Sequence, residues 1–271
     1  MSEIFHLFGI QFDFVPAFKL WMLIFIRCFT MLAFVPFLGT RMVMPRARTT
    51  LALVMAFYVF FLVQAKLLPQ VPESYFLMAA YMAKEVLFGF TIGFVTQAIF
   101  YGIQAAGMVV DHQRGGANAQ LVLPELGQVT IFGSFYYWMA IALFLSVGGH
   151  RFFLKSFFEG FTVVPLLSLP LFESGFAPFM DFIILLSGKS LLIALQLSAP
   201  VLIAVLLTDT VLGIANKMAP QINVFELGFA AKGIMGPLLV YVSLVVLVAQ
   251  MGEWSQSMME FIYQVHSLWK P

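Results

Sequence analysis

One stretch of the chain gathers an acid, a histidine, an arginine and several amides beside paired glycines. It reads Gly107-Met108-Val109-Val110-Asp111-His112-Gln113-Arg114-Gly115-Gly116-Ala117-Asn118-Ala119-Gln120. Two long apolar segments flank it, residues 86–103 and 129–147. So many polar groups near bilayer depth are tolerated only where they line a cavity or pack inside protein. The stretch is therefore expected to be the working part of the molecule, the wall or plug of a polar path. Catalysis is a poor use of these residues. Asp111 beside His112 does not make a dyad by adjacency, and no Ser or Cys nucleophile motif or H-E-x-x-H zinc spacing accompanies them. Gly115 and Gly116 allow tight backbone turns, but no Gly-Lys-Ser/Thr follows as a phosphate-binding loop needs. The expected role is structural: a compact polar loop that holds one closed shape and can release it. No catalytic residue and no metal ligand is assigned.

Two further places carry charge where apolar residues are the rule. Lys84 and Glu85 are neighbours, so on a helix they project about 100° apart. They are expected to find partners on a neighbouring helix rather than in each other, either as an ion or proton relay or as an ion pair fixing helix register. The second is a polar knot, Thr208-Asp209 and Asn216-Lys217-Met218-Ala219-Pro220-Gln221-Ile222-Asn223-Val224-Phe225. Asp209 follows a long apolar run, where it could cap a helix end, bind a cation or sit at a solvated loop end. Pro220 prevents simple helix continuation, and Gln221 and Asn223 can satisfy the freed backbone groups.

The elements that must position these groups are helices in a membrane. Apolar residues make up 62% of the 271 residues, charged residues 10%, and the mean hydropathy is +0.97. Ordinary globular domains carry roughly 45–50% apolar and about 25% charged residues. The net charge of +1 gives no hint of nucleic-acid binding. Four histidines and one cysteine exclude a disulfide framework or a zinc cluster. Cys28, between Arg27 and Phe29, reads as a small buried hydrophobe. The start, Met-Ser-Glu-Ile-Phe-His, lacks the basic region of a cleavable signal. The abundance of Phe (32) and Met (16) suits helices that meet many neighbours, and equally suits lipid-facing helices.

Six long helices are expected, over residues 18–36, 50–68, 75–104, 129–147, 179–207 and 233–251. Several reach the roughly 20 residues that a bilayer of about 30 Å requires. They are impure, with Lys19 and Arg27 in the first, Lys84 and Glu85 in the third, and Lys189 and Pro200 in the fifth. Charges inside membrane helices face a bundle interior or a wet cavity, so these helices should be sheathed largely by protein. Arg41, Arg46 and Arg48 mark a cytoplasmic loop by the positive-inside rule. Residues 150–160 read as a partly basic connection, and 163–178 as a short or re-entrant hairpin. No internal repeat is visible, and one domain spanning 1–271 is the simplest organisation.

Four stretches, in order, resemble one family. They are Lys84-Glu85-Val86-Leu87-Phe88-Gly89-Phe90; Ala106-Gly107 with Asp111-His112-Gln113-Arg114-Gly115; Ala199-Pro200-Val201-Leu202 with Asp209 and Gly213; and Ala219-Pro220-Gln221-Ile222-Asn223-Val224-Phe225. Together they resemble the FliR/SctT family of type III secretion export-apparatus proteins, from about residue 21 to 252. The Gln113–Arg114 pair looks closer to the injectisome (SctT) form than to the flagellar (FliR) form, although His112 stands where Asn is common. The resemblance implies an all-α fold: polytopic helical hairpins, slanted and packed into a hetero-oligomeric export gate of the bacterial inner membrane, partly raised into the periplasmic space. It implies a non-enzymatic role without cofactor. The implied partners are SctR-like and SctS-like (FliP/FliQ-like) subunits, a SctU/FlhB-like switch protein, membrane lipid and unfolded protein substrates in transit, and no nucleic acid. It also implies a plug loop over 107–127, with Gly107, Asp111, His112, Gln113, Arg114, Gly115 and Gly116 as gating residues. Lys84 and Glu85 would make inter-subunit ion pairs, and Pro220, Gln221, Asn223 and Phe225 a cytoplasmic-side tip. The alternatives are a flagellar rather than an injectisome gate, and a self-contained proton-coupled transporter using Lys84, Glu85, Asp111 or Asp209.

Overall fold

A computed structural model describes residues 14–39, 43–113, 121–123, 127–170, 177–221 and 223–270. The fold is all-α. Its helices are α1 (Phe14–Phe34), the single turn α2 (Pro36–Gly39), α3 (Pro45–Leu67), α4 (Tyr75–Gln113), α5 (Ile131–Ser146), α6 (Gly149–Val163), α7 (Ala177–Met218) and α8 (Val224–Leu268). A short 3-10 turn, Leu68–Gln70, ends α3 where Pro69 stops the helix. Two three-residue strands, β1 (Leu121–Leu123) and β2 (Gly127–Val129), form an antiparallel ribbon with Leu121 opposite Val129.

Five helices among the described residues are long and apolar enough to cross a membrane, or up to six spans if α5 and α6 count as one broken span. The chain is a multi-pass membrane protein. Helices α4, α7 and α8 have 39, 42 and 45 residues. At 1.5 Å per residue they run about 58, 63 and 68 Å, twice the thickness of a bilayer's hydrocarbon.

Three helix ends differ from the sequence expectation, all in one direction. Helix α4 continues past 104 to Gln113, α7 continues past 207 to Met218, and α8 runs from Val224 rather than 233. The polar residues that seemed to open loops are helical, because a helix longer than the bilayer need not be apolar along its whole length. The connection expected over 150–160 is also a helix, α6. Its Phe153, Ser156 and Phe157 are buried, while Arg151, Phe152 and Lys155 are exposed. Apolar residues on one face with charges on the other make an amphipathic helix, which a search for continuous apolar runs overlooks. Gly148, with φ of 82°, makes the left-handed turn between α5 and α6 that other residues adopt reluctantly.

Contacts divide the chain into two compact units. Residues 1–97, 153–180 and 260–271 form the first, and residues 98–152 and 181–259 the second. In the first, α1 packs on α3 through Trp21 and Phe57 (ring centroids 5.3 Å apart) and on α4 through Phe34 and Phe90 (4.8 Å, edge to face). Phe88 of α4 stands edge-on to Trp269 at 5.7 Å. In the second, the latter part of α4 meets α5 through Phe100 and Phe144 (5.4 Å). It meets α7 where the Ser190 hydroxyl donates to the Ala98 carbonyl at 3.0 Å.

Candidate functional site

Asp111 lies in the last turn of α4 and is buried. Its Oδ2 accepts the Phe132 N–H at 2.9 Å and the Gly133 N–H at 3.5 Å. These are among the first N–H groups of α5, which no intrahelical carbonyl can satisfy. The N-cap residue of α5, Thr130, makes no capping side-chain bond of its own. A carboxylate from another helix therefore caps α5, and its negative charge suits the positive end of the helix dipole. The bond joins the end of α4 to the start of α5, the two helices that flank the β1–β2 ribbon in sequence.

Gly107 serves the same junction. A Cβ there would run into the backbone of Phe132 and Gly133. It belongs to α4 rather than to a loop, and its value is close helix approach. His112 and Gln113 follow Asp111 on the helix and are exposed. Arg114, Gly115 and Gly116 lie outside the described residues. The loop expected from Gly107 therefore begins too early, since residues 107–113 are helical. Asp111 is separated from His112 and Gln113 by burial, not joined to them.

A second cluster sits in the first unit. Glu85 is fully buried, and its Oε2 pairs with Arg27 Nε of α1. Arg27 Nη2 donates to Glu85 Oε1 at 2.8 Å and to the Val164 carbonyl at 3.0 Å, and Nη1 donates to the Gly160 carbonyl at 3.2 Å. The rings of Phe88 and Phe161 lie 4.7 and 4.6 Å from the guanidinium carbon. Lys84 Nζ is 2.7 Å from Glu85 Oε1 and donates to the carbonyls of Pro165 (2.7 Å), Leu166 (3.0 Å) and Ser168 (3.1 Å). The expectation that Lys84 and Glu85 stay apart is corrected. Their bonds to the helix diverge, but both side chains are long enough to bend toward the same turn. The expected partner on a neighbouring helix is found for Glu85 in Arg27 of α1, within this chain.

The cluster gathers carbonyls from the C-terminal turn of α6 and the turn after it, the end of a helix where cations are favoured. Arg27 was noted in the sequence only as an impurity of the first helix. The signal that could have promoted it is an unpaired positive charge in one span against a Lys–Glu neighbour pair in another.

The third polar region also differs from expectation. Asp209 lies inside α7 rather than at its end, and its Oδ1 is 2.5 Å from Lys232 Nζ of α8. The turn between α7 and α8 holds Pro220 and Gln221. Asn223 opens α8: its side-chain carbonyl accepts the Glu226 N–H, and its amide donates to the Glu226 carboxylate, both at 3.4 Å. The first bond is that of an N-cap, and Asn-x-x-Glu was its readable signature; the second ties the two side chains together. The side chain of Phe225 lies outside the described residues.

With this geometry in view, the chain matches the family model for bacterial export proteins, family 1, over residues 18–258. The chain belongs to that family. It is 32% identical over 222 residues to the flagellar biosynthetic protein FliR of Bacillus subtilis, covering 81% of this chain and 83% of that protein. It is 32% identical over 175 residues to the Yop proteins translocation protein T of Yersinia pestis, covering 64% and 66%. It is 26% identical over 221 residues to the surface presentation of antigens protein SpaR of Shigella flexneri, covering 81% and 82%. The family match runs through both compact units and contains the Asp111 clamp, the Arg27–Glu85–Lys84 cluster and the α7–α8 hairpin.

Proposed function

We propose that this export protein is a non-enzymatic subunit of a type III secretion export gate, and that residues 107–127 form a plug across its passage. The observation that carries the plug is the bond from Asp111 to the start of α5. A segment that must close a pore and later yield needs a fixed base and a releasable span. Asp111 and the close contact at Gly107 supply the base. Arg114, Gly115 and Gly116 belong to the span.

The helix lengths support a gate that rises out of the bacterial inner membrane into the periplasmic space. Three helices of about twice the bilayer thickness cannot lie wholly in lipid without extreme tilt. The gate would be completed by SctR-like and SctS-like (FliP/FliQ-like) subunits and by a SctU/FlhB-like switch protein, with unfolded protein as the cargo and the chain acting as one unit of that assembly. The host system is read as an injectisome from Gln113 and Arg114, although the identity to the flagellar and the Yop relative is the same 32%. The cytoplasmic-side tip is assigned to Pro220, Gln221, Asn223 and Phe225. A proton relay through Lys84 and Glu85 is disfavoured by the cluster itself. Four of the five Arg27 N–H donors and all the protons of Lys84 have acceptors within this chain.

The test is Asp111→Ala in the assembled complex, read as leak of small solutes across the inner membrane. The leak is expected to rise while the complex remains intact, and Arg114→Ala is expected to do the same. A leak equal to that of the unaltered complex in both variants would remove the plug assignment.

A further inference from the structure

Helix α7 carries Leu206, Asp209, Gly213 and Asn216 at spacings of i, i+3, i+7 and i+10, which places them on one face. All four are exposed. Around them, Ile203, Leu207, Val211 and Ile214 are exposed as well, so the acid sits in an apolar surface. This helix has the highest hydropathy of the candidate spans, 2.4 over its best window. Lys232 is 2.5 Å from Asp209 Oδ1, yet half of the Asp209 side chain remains exposed.

Neither lipid nor water covers such a surface well, because hydrocarbon penalises the ionised carboxylate and water penalises the apolar side chains around it. A protein helix can answer it. A Cβ built on Gly213 would meet nothing within 4 Å, so the backbone one turn beyond Asp209 is open to the close approach that small residues permit between membrane helices. The chain also shows how it satisfies a carboxylate in an apolar setting. Glu85 takes two cations, Arg27 and Lys84, one from a neighbouring helix. Asp209 has one cation and room for a second.

We propose that this face of α7 seats a helix of another membrane subunit, and that the incoming helix presents a lysine or arginine to Asp209. The proposal rests on the reading of the chain as a gate subunit and adds to it a place and a chemistry of contact.

The experiment places a photo-crosslinking amino acid at Asn216 in the full complex in native membranes. The expected result is an adduct with one membrane subunit, at a segment that carries Lys or Arg within a turn of the crosslink. Asp209→Lys is then expected to lower recovery of that subunit with the chain at least tenfold, and reversal of the identified cation to Asp in the same background to restore it. The Lys232→Met variant, which removes only the intrachain pair, is expected to retain the subunit. An intact complex with adducts to lipid alone would overturn the docking and leave the gate reading standing. So would an adduct segment without a cation, or a charge reversal that restores nothing. A chain that purifies without partners would overturn the gate reading itself.

Discussion

Two charged groups in membrane-length helices meet opposite fates. Arg27, Glu85 and Lys84 are buried among aromatic rings and backbone carbonyls, and each finds its partners inside the chain. Asp209 and Lys232 pair on the surface of a hairpin, with half of the acid left uncovered. The first arrangement serves folding: it ties α1 to α4 and both to the turn after α6. The second leaves electrostatic capacity for something outside the chain. A charge in a membrane helix is therefore not one kind of signal, and what distinguishes the two cases is how much of the acceptor is already used.

The sharpest break in that contrast is Glu85→Ala. It would leave two buried cations without their anion, a change that typically costs about 3–5 kcal/mol. The chain is expected to vanish from the assembled complex, measured as recovery of a tagged copy with its partners. Normal recovery would mean that the buried cluster, like the exposed pair, is dispensable for folding, and the contrast would collapse.

The next change separates the two compact units. Gly107→Val puts side-chain atoms where the backbone of Phe132 and Gly133 lies, and overpacking of this kind costs about 1–3 kcal/mol. Amide hydrogen exchange is expected to quicken at the start of α5 and stay unchanged over residues 160–168, which the Arg27 and Lys84 bonds hold. Equal acceleration in both places would show that clamp and cluster open together, so that the Asp111 junction could not act as a separate gate element.

Much of this was legible in the sequence because membrane helices announce themselves by composition. The apolar runs gave the class, and the helices at 18–36, 50–68 and 129–147 fall within a few residues of α1, α3 and α5. Within the polar stretch, His112 and Gln113 are exposed and Asp111 is buried. Its partner was not legible: nothing in a one-dimensional pattern says that a carboxylate at the end of one helix will cap the next helix across an intervening ribbon. Burial splits Asp111 from His112 in the same way that helical geometry splits any adjacent pair. Lys84 and Glu85 are the exception, because two long flexible side chains can overcome a divergence of about 100° that fixes only their Cβ directions. Helix α6 escaped because an amphipathic helix has no continuous apolar run, and α7 and α8 were cut short because helicity was taken to end where apolarity ends.

The smallest expected effect is the control that gives the contrast its meaning. Lys155 and Glu159 sit one turn apart on α6, 3.9 Å between charged atoms, with 72% of the lysine side chain exposed. By sequence they look as much like a designed ion pair as Lys84 and Glu85 do. In water or at an interface such a pair is screened and contributes little, typically under about 1 kcal/mol, and Glu159 keeps the Tyr263 hydroxyl as a donor at 3.1 Å in any case. Lys155→Ala is therefore expected to leave complex recovery and solute leak as they are. If it lowered recovery as Glu85→Ala is expected to, exposure would not be what sets the worth of a charge here, and Lys155 would have to be touching a partner that makes α6, rather than α7, the docking face.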